Sequence, residues 1–150
     1  MPRLLAFLPC ERAIISRDDD TITLVSILQG INVPISAEAR GQKLLLPLRW
    51  SILAYWLREE GDQGVTFEQR FELLAPTGEV LLLQDAEFAF LKATHNQIGQ
   101  VFGFPVPSAG DSKPDYTLRL SLRRAGDAEF KPVADFPFQV NVMALSSANA

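Results

Sequence analysis

The sequence predicts an all-β domain: a two-sheet antiparallel β-sandwich of immunoglobulin-like or related Greek-key topology, with about eight strands. Three observations predict it. Residues 65–73 and 115–124 alternate apolar and polar side chains at period two, the pattern of antiparallel strands with one face in water. Gly, Pro, Asp and Asn cluster between such runs. No stretch carries a convincing amphipathic helical period.

The elements follow in order. Residues 2–10 read as a first strand with Leu4, Ala6 and Leu8 on one row, continued over 12–16 after a break near Pro9. Arg17-Asp18-Asp19-Asp20 reads as a solvated turn. Residues 21–30 alternate and close a hairpin at the aspartates. Residues 33–43 are polar, with Pro34 and Gly41, and read as a loop with a short helical turn around 36–40. The most apolar stretch is 44–58, with both tryptophans. A helix starting at Pro47 is its rival reading; the row Leu48, Trp50, Ile52, Ala54 and Trp56, and the alternation of the neighbouring segments, favour the sheet's central strand. Val65, Phe67, Phe71 and Leu73 then face inward, with Gln69 as the exception. A turn at 75–79 leads to a hairpin partner at 80–91, with Ala86, Phe88 and Phe90 inward. Residues 92–100 read as irregular and 101–107 as a short strand held to an edge or bend by its prolines. Residues 108–114 form a Gly/Asp/Pro loop. Tyr116, Leu118, Leu120 and Leu122 face inward from the next strand, and residues 130–143 close the sheet through Phe136, Phe138, Val140 and Val142. Gly110-Asp111 through Tyr116 suggests a tyrosine corner.

The 150 residues suit a single domain, over 1–145, with 146–150 as a disordered tail. The net charge of −4 gives no basis for wrapping nucleic acid, and Arg123-Arg124 is the one adjacent basic pair. One cysteine cannot make an internal disulfide. The apolar N-terminal run, Leu4 to Leu8, is too short for a signal peptide or a membrane span. The expectation is a cytoplasmic protein with no membrane association.

Pro2-Arg3-Leu4 with Phe7-Leu8-Pro9-Cys10-Glu11, the strand with Arg49-Trp50, Phe67-Glu68-Gln69-Arg70, and Gly103-Phe104-Pro105-Val106 leading to Tyr116-Thr117-Leu118-Arg119-Leu120 together resemble a family of small bacterial proteins of unknown function. The resemblance runs over residues 2–142. It implies a compact β domain and a bacterial source, and it supplies no activity and no catalytic residues.

Chemistry is sparsely signalled. His95, the sole histidine, and Cys10 could in principle form a nucleophilic pair, but no local signature supports one, and Cys10 reads as a buried small hydrophobe. Asp18, Asp19 and Asp20, with His95, could hold a cation or small ligand. Asp62, Asp111 and Asp115 also lie in or beside loops. Three consecutive aspartates rarely converge on one ion, and a solvated turn is the plainer reading. No phosphate loop, paired-cysteine zinc spacing or nucleophile elbow occurs, and the aromatics fall mostly on inward rows. No cofactor, metal or catalytic residue is expected.

What stands out is surplus apolar surface. The second row Leu53, Tyr55 and Leu57, together with residues 44–46 and 80–83, is apolar where a sandwich strand should be wet. Either the chain's own loops, 33–43 or 92–107, cover it, or a second copy or partner protein does. The sequence therefore points to a non-enzymatic module for protein interaction or self-association through Leu53, Tyr55 and Leu57, with ligand or cation binding as the alternative.

Overall fold

A computed structural model describes residues 1–39, 44–106 and 115–145. The expected loop at 108–114, the end of the 33–43 segment and the expected tail at 146–150 lie outside them. The described residues form nine strands: β1 (Arg3–Ile15), β2 (Ile22–Ile27), β3 (Gly30–Ile35), β4 (Leu44–Leu57), β5 (Thr66–Leu74), β6 (Val80–Ala89), β7 (Thr94–Val106), β8 (Asp115–Arg124) and β9 (Lys131–Ala144), with a 3₁₀ turn at Ala37–Ala39. The strands make two sheets, ordered β2-β1-β4-β7 (the front sheet) and β3-β9-β8-β5-β6 (the back sheet).

The apolar row of β4 does what its spacing requires. Trp50, Ile52, Ala54 and Trp56 are at most 1% exposed and join the core. The inward rows of β5 and β8 meet them from the back sheet, so the two sheets share one core, consistent with the expected sandwich. Aromatic rings carry the contact: Trp50 stacks on Phe138 at 5.8 Å between centroids, Phe7 on Phe71 at 6.0 Å, and Trp56 on Phe88 at 6.0 Å. Gln69, the polar exception on β5, is fully buried because its Oε1 accepts the indole N–H of Trp56 at 2.9 Å. Packing of this kind, at about 1.5–3 kcal/mol per buried large side chain, holds the sheets together.

The expected hairpins form: β1 with β2, and β5 with β6, are antiparallel neighbours. Five readings need correction. The strand expected over 21–30 divides at Leu28-Gln29, where the chain changes sheets: Leu28 N–H bonds Pro9 O on the front sheet, and Gln139 N–H bonds Gln29 O on the back. The segment read as a loop from residue 33 begins as part of β3, which runs parallel to β9; Val33 (fully buried) and Ile35 (4% exposed) enter the core, and Pro34 is tolerated because β3 is an edge. That parallel pair departs from the all-antiparallel expectation. Gly30 opens β3 because a Cβ there would lie 2.3 Å from Gln139 O. No break occurs at Pro9: its carbonyl, and with it the position of its missing N–H, faces away from β4, so no bond of the β1–β4 ladder is lost. Finally, the polar stretch 92–100, read as irregular, supplies the first half of β7, because the long β4 offers it a continuous edge from Leu44 to Leu57. Pairing overrides weak local propensity there.

Candidate functional site

The alternation that turns Trp50, Ile52, Ala54 and Trp56 inward puts Arg49, Ser51, Leu53, Tyr55 and Leu57 on the outer face of the front sheet. Register extends that row sideways. Leu53 lies between Leu8 and Ile98, Tyr55 between Ala6 and Asn96, and Ser51 between Cys10 and Gln100. Every one of these side chains is neutral. Arg3, beside Leu57, and Arg49 bound the row at its two ends.

Exposure along the face is uneven. Leu53 is 3% exposed and Cys10 is fully buried, yet neither belongs to the inter-sheet core. Burial raises the Cys10 thiol pKa. Tyr55 and Leu57 are half-buried. At the far end, Leu45 and Phe102 are 70% and 63% exposed. The Arg49 guanidinium lies 5.0 Å from the Phe102 ring centre, and a shallow pocket of about 370 Å³ opens between Leu45, Pro47, Arg49 and Phe102. Beyond them β7 ends the front sheet.

Phe102 was hidden in the sequence. Strict alternation would send Phe102 and Phe104 to one face, but Phe104 is in the core. Gly103, at φ +93°, breaks the alternation between them, and β4 carries a matching register shift between Leu46 and Arg49. A Cβ at Gly103 would also come within 3.0 Å of Leu45. The signal that could have found this is a glycine between two aromatics opposite a proline.

The polar candidates do not assemble. Asp18, Asp19 and Asp20 are exposed at the tip of the β1–β2 hairpin. Asp19 Oδ1 accepts from the Thr21 hydroxyl at 2.6 Å and the Thr21 N–H at 3.1 Å, a local turn bond; the hydroxyl is the main reason its carboxyl titrates below the usual range. Asp20 is ion-paired with Lys92. His95 turns inward, stacked on Phe88 at 4.5 Å and edge-on to Phe90 at 6.2 Å, with Nε2 3.1 Å from Gln97 Oε1. Cys10 pairs with Ser51 and His95 with Trp56, so the two sit on opposite faces and about 17 Å apart along β4. No nucleophilic pair is formed. Asp62 is fully buried within its turn, where its Oδ2 accepts the Glu59 N–H at 3.1 Å. Among the described residues, no group of three or more His, Cys, Asp and Glu side chains could hold a metal. None of their helices is long and apolar enough to cross a membrane.

The outer face of the back sheet is built differently. Arg70 grips Asp85 through two bonds of 2.7 Å, Arg119 grips Asp135 at 2.8 and 2.9 Å, and Arg123 pairs with Glu68. Phe130 is flanked by the Arg70 and Arg123 guanidinium groups at 4.1 and 4.3 Å. The arginine bonds hold the Asp85 and Asp135 carboxyls below the usual range.

Compared with protein-family models and with curated proteins, the chain matches none.

Proposed function

We propose that this chain is a non-enzymatic interaction module that docks a protein, a second copy being the first partner to test, through the outer face of the front sheet. One observation carries the reading. The outer row from Ser51 to Leu57 and its lateral neighbours is neutral, and past Arg49 at its end lie exposed Leu45 and Phe102, whereas the back sheet's outer face is laced with arginine–carboxylate pairs. Exposed apolar surface rimmed by polar residues marks contact sites, and on this face Leu45 and Phe102 supply it. An immunoglobulin-like Greek key belongs to the same reading. Its support is the pairing order, in which β4 and β7 share one sheet, β5, β6, β8 and β9 share the other, and β3 lies parallel to β9. A cytoplasmic setting is supported by the single cysteine.

Native mass spectrometry of protein purified gently from its source tests the docking. A dimer or a co-purifying protein supports it. A monomer carrying a small mass or a metal favours ligand binding instead, and a bare monomer at high concentration counts against docking.

A further inference from the structure

The β1–β2 ribbon cannot be straight. Arg3 pairs with Leu57, and Leu57 with Thr94, so Lys92, two residues before Thr94, sits at the Arg3 end of the front sheet. At about 3.3 Å per residue, a straight β1 would carry Ile15 roughly 40 Å from that end, and Asp20 farther still. Yet Asp20 is ion-paired with Lys92. The ribbon must therefore double back. It does so beyond Cys10, the last β1 residue paired with β4, and Ser26, at φ +53° next to the end of β2, marks the bend.

The inner side of the sheet is filled by the core, which leaves the outer face as the path. Burial there agrees. Leu53 and Cys10 are closed off although they are outside the core, and Asn96 Oδ1, beside Tyr55, is buried without a partner. On the ribbon, Ala13, Ile22, Leu24 and Val25 are half-buried although no further strand flanks β2. The described strands of both segments expected to act as covering loops are placed elsewhere: β7 is a strand of the same sheet, and β3 belongs to the other.

We infer that the β1–β2 ribbon is a strap, folded over the outer face of the front sheet and clasped at its tip by Asp20 and Lys92. It closes the Leu53–Tyr55 part of the face in the free protein and leaves the Leu45–Phe102 end open. This rests on the proposed docking role only for the strap's purpose; its geometry stands or falls separately. The clasp is exposed, with 70% and 61% of the two side chains in water. An exposed pair is weak and screened by salt, which suits a fastening that opens.

Zero-length carbodiimide coupling of the unmodified protein, read by peptide mass spectrometry, tests the path. An Asp20–Lys92 amide within monomers is expected. Its absence, or its formation only between chains, overturns the strap. The native Cys10 thiol reports the cover. Labelling at low salt should be about 2- to 5-fold faster in Lys92→Asp and return to the parent rate in the swapped Asp20→Lys/Lys92→Asp protein. Unchanged labelling in Lys92→Asp overturns the clasp. A strap that passes both tests on a protein that never associates would sink the docking role alone.

Discussion

The two sheets present opposite outer faces from the same kind of strand. β5 and β8 place Glu68, Arg70, Arg119 and Arg123 outward and pair each with a partner of opposite charge. β4 places Ser51, Leu53, Tyr55 and Leu57 outward, and its neighbours answer with neutral side chains. Exposed ion pairs contribute about 0–1 kcal/mol each, so the charged ladder adds little stability. Its effect is to keep that face in water and to disfavour association there. The neutral face has no such guard, and in part of it the chain covers its own surface.

The sharpest way to break the comparison is to change one outward side chain on each face. Leu53→Asp places a charge where only 3% of the residue is exposed, and should cost about 3–5 kcal/mol in urea unfolding. Glu72→Ala on the opposite face should stay within about 0.5 kcal/mol. Equal effects would mean that the front face is open to water. Gln69→Leu comes next. It leaves the buried Trp56 N–H without its acceptor, with an expected loss of about 1–3 kcal/mol by the same measurement.

Smaller effects belong to the ladder. Arg70→Ala or Arg119→Ala should cost less than about 1 kcal/mol at neutral pH. The acid dependence has a definite sign. Asp85 and Asp135 titrate below their unfolded range, so their contribution is present above roughly pH 4 and is lost as pH falls through the folded values. The wild-type advantage over either alanine variant should therefore shrink steadily below about pH 4. A difference that persists undiminished to pH 2 would remove the carboxylates from the explanation. Smallest of all, Phe102→Ser should leave stability within about 0.5 kcal/mol, because the ring is already 63% exposed.

Much of the fold was legible because period-two alternation reports directly on burial. Tyr116, Leu118, Leu120 and Leu122 were expected inward, and all are at most 4% exposed. The two strands that alternation missed, β3 and the first half of β7, take their structure from partners distant in sequence, β9 and β4. Propensity cannot see such partners. The apolar row Leu53, Tyr55 and Leu57 was visible as a surplus, but not what lies over it. That depends on a bend at Ser26 and on a pair joining residues 72 positions apart. Phe102 escaped for a related reason, since one glycine reversed its face.

The central claim is that association belongs to the front face and not the back. Sedimentation velocity across a concentration series, run on wild type, Tyr55→Ser/Leu57→Ser and the matched back-face variant Glu72→Ser/Arg119→Ser, tests it most directly. The account predicts that wild type and the back-face variant associate alike, while the front-face variant stays monomeric with an unchanged circular dichroism spectrum. A folded front-face variant that still associates as wild type does, or loss of association in the back-face variant alone, would contradict it.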